Sequence, residues 1–440
     1  MKKTLAAILA LVLTLSLCSL AWATQPSVNV AKIGDNEYAT LQAAFDAAKD
    51  GDTITLLKSC SGDGVVAAEG KYPTGLTVDF AGHSYTVGGV LVGSSGTASN
   101  AFQLLKGNTI TFKNGAIYGD AAVAGDATTE WTGAPAMMIQ NYSNLTLLNM
   151  VVSGGEETVY TISNNNGDSV FENTTINPGK AKGYSSAPVA FDVCRYSSYP
   201  SVSVTVKGTS KINGDVEVSG DIGQGQSRQL NIENGTFGGA FKISGNVPAN
   251  ISVSGGTFAS SVREYVVPAL QYEVMTTVNE ANNEYTYNYF TKYEDAVAYA
   301  ESTVNKGTID LTQGSTNLQY VIEYADGTGR EVTLRVVAGQ DFELPTLTRT
   351  GYTFKGWKMN GSTEVYSAQQ IKAWTGPLGD TNVLTAVWSA NSYYYYPSTS
   401  TTDSTTGKAS PKTFDAGIGV YAVTAVLSLT GLAYTGKKKF

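Results

Sequence analysis

Six short motifs recur through the middle of this chain and leave it few ways to fold. They are Asn114-Gly115-Ala116-Ile117, Asn149-Met150-Val151-Val152, Asn173-Thr174-Thr175-Ile176, Gly208-Thr209-Ser210-Lys211-Ile212, Asn234-Gly235-Thr236-Phe237 and Gly255-Gly256-Thr257-Phe258. Their closing apolar residues, Ile117, Val152, Ile176, Ile212, Phe237 and Phe258, follow one another at intervals of 35, 24, 36, 25 and 21 residues. A repeat of this length is one supersecondary unit that cannot bury its apolar face alone and must stack on the next. The intervals near 35 leave about 10 residues over for loops, where function tends to sit.

The runs between the motifs are short and rich in β-branched or aliphatic residues: Thr109-Ile110-Thr111-Phe112, Leu145-Thr146-Leu147-Leu148 and Ser201-Val202-Ser203-Val204-Thr205-Val206. In the last, Val202, Val204 and Val206 fall on one face and Ser201, Ser203 and Thr205 on the other, as a strand between core and water requires. Upstream, Thr40 is a plausible N-cap for a helix whose apolar face is Leu41, Ala44, Phe45 and Ala48. Gly51 ends that turn, and a strand from Thr53 to Leu57 follows. Together with Leu76-Thr77-Val78-Asp79-Phe80-Ala81-Gly82-His83-Ser84-Tyr85 and Ser254-Gly255-Gly256-Thr257-Phe258, this opening resembles the pectin-lyase-like superfamily over roughly residues 28 to 275. The resemblance implies a right-handed parallel β-helix, a solenoid, for residues 24–275, and says nothing of chemistry because the shared residues are turn and core residues.

Residues 276–315 repeat the opening in part: Tyr289 to Ala296 predicts a second helix and Gly307 to Leu311 a strand, closing the solenoid or linking it onward. Residues 316–389 change character. Strands are expected at Tyr320–Tyr324, Val332–Val336, Gly351–Trp357 and Leu384–Trp388, with a turn at Pro345. The Gly351-Tyr352-Thr353-Phe354-Lys355-Gly356-Trp357 and Ala386-Val387-Trp388 patterns resemble the internalin B-type repeat, which implies a small β-grasp domain with Tyr352, Phe354, Trp357 and Trp388 as its core. From 390 to 409 the chain runs through Tyr393–Tyr396 into a Ser/Thr-rich stretch with too little apolar content to pack, so it reads as a linker.

The termini carry addresses. Lys2 and Lys3, an apolar run from Leu5 to Leu17, and Ala21-Trp22-Ala23 read as a signal peptide over 1–23, cleaved between Ala23 and Thr24. Leu17 stands directly before Cys18, where a lipobox has a small residue, so lipidation is not expected. At the other end, an apolar run from Ile418 to Tyr434 spans about 26 Å at about 1.5 Å per residue, and Lys437-Lys438-Lys439 would stay cytoplasmic. Residues 410–440, with Ser410-Pro411-Lys412-Thr413-Phe414 ahead of the span, resemble the cell-wall sorting signal of Gram-positive surface proteins. The resemblance implies attack by a sortase between Thr413 and Phe414 and transfer to peptidoglycan. Leu or Asn usually stands where Ser410 does, and Gly where Phe414 does; the alternative is an uncut membrane anchor. The expected fold class is thus mainly β: a right-handed parallel β-helix, a small β-grasp domain, and terminal signal and anchor helices.

Charge narrows the partners. A formal net charge of −8 with no basic stripe argues against nucleic acid. Cys60 and Cys194, the two cysteines of the mature chain, are far apart and lack metal-ligand spacing, so each reads as a small buried residue. Asp215 and Glu217, with Asp221 nearby, are compatible with calcium, but strand alternation alone explains them as a solvated face. Asp192 and Arg195 flank Cys194 and read as an ion pair before a lyase site. His83 is the single histidine and has no partner for a triad or a metal cluster. The expectation is no catalytic residue, metal or cofactor. Trp131, Tyr184, Tyr196 and Tyr199, in loops amid Ser, Gly and Asn, are the candidate contacts for a glycan or host protein. These readings describe a non-catalytic adhesin or glycan-contact protein on the surface of a Gram-positive cell. The alternatives are a carbohydrate-active lyase or hydrolase, and a structural spacer.

Overall fold

The computed structural model describes residues 29–94, 98–119, 134–246, 250–302, 307–314 and 316–392. The expected signal peptide, the expected linker beyond 392, the expected sorting motif and the apolar run from Ile418 to Tyr434 lie outside the described residues, as does Trp131. Among the described residues no helix is long and apolar enough to cross a membrane. The protein is mainly β, with parallel sheets.

From Thr53 to Phe258 the chain visits three ladders in turn, and strands within each ladder pair in parallel with the strand one repeat later. The first ladder begins with Thr53–Leu56 and Leu76–Asp79 and ends with Asn250–Val253. The second begins with Cys60–Gly62 and Ser84–Val87 and ends with Thr257–Phe258. The third is a separate seven-stranded sheet from Val65–Ala67 to Phe241–Ile243. The strands Thr109–Tyr118 and Asn144–Ser153 are long enough to serve the first two ladders at once.

Period-two alternation turns one side of each ladder inward, and register stacks the inward residues in file. On the first ladder Ile54, Val78, Phe112, Leu147, Phe171, Val206, Ile232 and Val253 are successive partners, each 0% exposed. On the second, the six closing residues of the sequence motifs, Ile117 through Phe258, are one another's register partners. Each such side chain contributes roughly 1.5–3 kcal/mol by leaving water, and removing one leaves a cavity its rigid neighbours cannot close.

The motif asparagines sit at the corner between the first and second ladders. Asn114, Asn149 and Asn173 have φ of 59°, 54° and 50°, a left-handed conformation that asparagine tolerates better than most residues. Their amides also stack: Asn149 Nδ2 donates to Asn114 Oδ1 (3.2 Å), and Asn114 Nδ2 to Asp79 Oδ1 (3.3 Å). The corner into the third ladder works by close approach instead. A Cβ on Gly119, Gly154 or Gly239 would lie 2.5, 2.6 or 2.3 Å from backbone atoms of an adjacent repeat, so nothing larger than glycine fits.

Both ends of the ladders are covered. Helix α1, Leu41–Ala47, is capped by the Thr40 hydroxyl accepting from Ala43 N (3.1 Å) and buries Leu41, Ala44 and Phe45. Its Gln42 meets the open edge of the third ladder as a strand would, accepting from Val66 N (2.7 Å) and donating to Val66 O (3.3 Å). At the far end, Thr257–Phe258 pairs antiparallel with Glu284–Phe290, which forms a hairpin with Tyr272–Asn279. That hairpin continues through Thr308–Leu311 and Glu331–Val336 to Leu318–Glu323, Thr381–Ala390 and Tyr352–Met359 as one mixed sheet. Residues 276–315 thus supply strands to the same sheet as 316–392.

Helix α2, Tyr293–Ser302, turns Tyr293, Ala296, Val297 and Ala300 into the second core; helix α3, Ala368–Lys372, is held by a Ser367/Gln370 capping box. Trp357 is fully buried there, Phe354 and Trp388 partly so, and the Trp388 indole donates to Tyr324 O (2.7 Å). Tyr352, expected in this core, is instead 38% exposed beneath the Arg349 guanidinium, because it stands at the first position of the edge strand, opposite exposed Ala390 and past the end of the core. Between the two cores, Arg263 bridges Glu273 (2.5 Å) and Asp310 (2.8 Å), both carboxylates almost fully buried.

Candidate ligand-binding face

The third ladder carries the most unusual side chains on its outward row. Gln103, Gln140, Ser163, Asp192, Glu217 and Lys242 are successive register partners. On neighbouring strands such residues stand about 4.8 Å apart, so their polar groups meet in file. Gln103 Nε2 and Asn100 Nδ2 both donate to Gln140 Oε1 (2.9 and 3.0 Å). The Ser163 hydroxyl donates to Asp192 Oδ2 (3.0 Å), and Asn164 N donates to Asp192 Oδ1 (2.6 Å). Tyr160 reaches Glu217 Oε2 at 3.5 Å.

Asp192 is the electrostatic centre of the row. It is 4% exposed, and burial pushes its carboxyl up to about 8 against the opposing pull of the Ser163 and Asn164 hydrogen bonds, with Glu217 repelling its charged form. It therefore holds its proton at neutral pH. The expected ion pair with Arg195 does not form: that guanidinium donates to the carbonyls of Asp221 and Ser197, because the backbone beyond Cys194 turns out of the ladder. For Asp215 burial is the largest single influence and raises its pKa, but the Lys242 ion pair (2.6 Å) and the hydrogen bond from Ala240 N (2.9 Å) together hold it below its ordinary value, and Asp221 accepts from Asn246 N (3.0 Å). Val216 and Val218 are buried and alternate with Asp215 and Glu217 along the strand. Among the described residues no three His, Cys, Asp or Glu side chains gather as a metal ion would need.

Aromatic rings border the row. Tyr196 and Tyr199 converge on Tyr142, with centroids 6.3 and 5.3 Å away. Tyr142 directly follows the strand Met137–Asn141, and no sequence pattern distinguishes it. Burial raises its hydroxyl to about 12, and the nearby groups include Tyr196, Tyr199 and Asp192, which ties the rings to the row. Tyr196 is 52% exposed. Tyr184 is also exposed but lies in the turn after Ala181 and makes no ring contact with the others among the described residues. His83 belongs to the corner between the first two ladders, outside this face.

Cys60 and Cys194 are free and half-buried; burial lifts the Cys60 thiol to about 11 and raises that of Cys194. Neither has the lowered pKa a nucleophile needs. Gln103, Ser163 and Asp192 in this row are nearly buried, so what the face offers a ligand is half-buried Gln140 and Glu217 beside the exposed Tyr196 ring, groups suited to hydrogen-bond and stack on a polyhydroxylated ligand. No family model matches this chain, and neither a curated protein nor a solved structure does.

Proposed function

We propose that this is a non-catalytic surface protein of a Gram-positive cell that contacts a glycan through the outer face of its third ladder. In this reading the three stacked ladders are the coils of a right-handed parallel β-helix, and the mixed sheet after residue 316 is an internalin B-type β-grasp domain. The Ser/Thr-rich linker and the sorting signal display both on peptidoglycan, with a sortase cutting between Thr413 and Phe414. The observation that carries the ligand class is the row from Gln103 to Glu217 with Tyr142, Tyr196 and Tyr199 beside it. On a glycan array the intact chain should lose at least one bound glycan in Tyr196→Ala and in Gln140→Ala; binding untouched by both rejects the face. Mass spectrometry of wall-released protein should end at Thr413, and an intact tail in the membrane fraction rejects covalent anchoring.

One observation favours the hydrolase alternative: Asp192, held protonated, is register partner to Glu217, and a glycosidase needs two carboxyls in different states. Turnover of any polysaccharide that vanishes in Asp192→Asn would replace the binding reading with this one.

A further inference from the structure

The C-terminal module contains an aromatic residue that none of its sequence patterns explains. Trp374 follows helix α3 and is only partly buried, unlike Trp357 in the same core. Its indole separates two depressions: an open cleft of about 410 Å³ lined by Tyr366, Gln370, Ala373, Trp374, Thr375 and Gly376, and another of about 460 Å³ on the side of Phe342 and Leu378. A ring so placed forgoes much of the gain from full burial.

The ring is also held still. Trp374 N donates to Ile371 O (3.2 Å), and Tyr366 packs edge-on with centroids 5.2 Å apart and planes at 81°. The Gly376 backbone lies so close to the pyrrole edge that a Cβ there would be 2.7 Å from Nε1. Gln370 commits its Oε1 to Ser367 N (2.8 Å) in the helix cap, which fixes its amide and leaves the Nε2 hydrogens as donors beside the ring. A rigid aromatic face flanked by an amide donor and the Thr375 hydroxyl can stack on the C–H face of a pyranose and bond its rim hydroxyls, with little ordering entropy lost.

We propose that Trp374 is the platform of a second carbohydrate site, independent of the third-ladder face, that takes neutral pyranose oligosaccharides. None of the six lining residues carries a charge at neutral pH, so nothing in the cleft would compensate a uronate or sulfate. The chain's net charge of −8 disfavours acidic polymers further. This rests on the reading of the protein as a glycan binder, while naming a different surface for the contact.

The test is calorimetric titration of the intact protein with chitotetraose, cellotetraose and mannotetraose, and in a second arm with tetragalacturonate and a heparin tetrasaccharide. At least one neutral sugar should bind, Trp374→Ala should weaken it at least tenfold, and Trp374→Phe should retain part of the affinity. Saturation-transfer NMR on the wild type should mark the C–H protons of the bound ring, which keeps the test decisive should Trp374→Ala fold poorly. Val278→Ser, an exposed position outside both surfaces, should leave this binding unchanged. Neutral-sugar binding indifferent to Trp374→Ala, binding of the acidic arm alone, or no binding in either arm overturns the proposal. Loss in Tyr196→Ala but not in Trp374→Ala sinks this cleft and leaves the third-ladder face standing.

Discussion

Replacing Asp192 by Asn should make the protein more stable, and more so the higher the pH. The carboxyl is 4% exposed, with Oδ1 accepting from Asn164 N (2.6 Å) and Oδ2 bonded to the Ser163 hydroxyl (3.0 Å). An asparagine in the same pose keeps both contacts, its Oδ1 accepting from Asn164 and its N–H donating to Ser163. The folded carboxyl titrates at about 8 and the unfolded one at 3.8. Between these values the folded chain holds a proton that the unfolded chain has released. Stability from this group is therefore fully present below about pH 4, falls as pH rises, and levels off above about pH 8. At about 1.4 kcal/mol per pH unit the whole loss is on the order of 5 kcal/mol, less whatever relaxation lets water reach the charge. Thermal melts of wild type and Asp192→Asn at pH 4, 6, 7, 8 and 9 should show curves that coincide at pH 4 and separate by several degrees at pH 9. A gap that is constant with pH, or a mutant less stable at pH 9, would refute the assignment of a buried protonated carboxyl. A stabilising change at this position would also mark Asp192 as a residue kept for something other than stability.

The other expectations concern packing, the junction and the thiols. Gly239→Ala would set a Cβ 2.3 Å from Gly214 C and should cost at least about 2–3 kcal/mol in urea unfolding, whereas Gly34→Ala, with open space around it, should cost only about 1. Arg263→Ala takes the guanidinium from buried Glu273 and leaves buried Asp310 to the more distant Arg335 (3.5 Å), and should cost roughly 3–5 kcal/mol, a deficit that narrows on acidification as the Asp310 carboxyl, already raised by burial, takes up a proton; a loss unaffected by pH would contradict the buried bridge. Cys60, with its thiol raised to about 11, should resist iodoacetamide at pH 8 until the chain is unfolded, and rapid modification read by intact mass would show it more open than described.

Much of the fold was legible because one physical constraint is written directly in the residues. A repeat must bury its apolar file on the next repeat and must turn where the backbone goes left-handed. Ile117 through Phe258 and Asn114, Asn149 and Asn173 therefore announce themselves by type and spacing. The glycine corner was not legible: Gly119, Gly154 and Gly239 look like any loop glycines until the adjacent repeat's backbone arrives against them. Gln42 shows the same limit. Its place on the helix was readable, but its bond to Val66 depends on an edge brought there by a neighbouring strand.

The candidate faces depend still more on tertiary structure. Alternation already marked Asp215 and Glu217 as outward, yet the meeting of Gln103, Gln140, Ser163, Asp192 and Glu217 in one row follows from registers across repeats of unequal length. Tyr142 joined Tyr196 and Tyr199 for the same reason, and Tyr352 left the core because it stands at the first position of the edge strand, past the end of the core. By itself, then, the sequence determined that this chain is mainly β, where its repeats begin and which residues face inward, since those follow from local periodicity and backbone preference. Only the tertiary structure decided which outward residues become neighbours, how far Asp192 is dehydrated and which ring stands clear in a cleft, because those depend on distances between segments that local sequence does not encode.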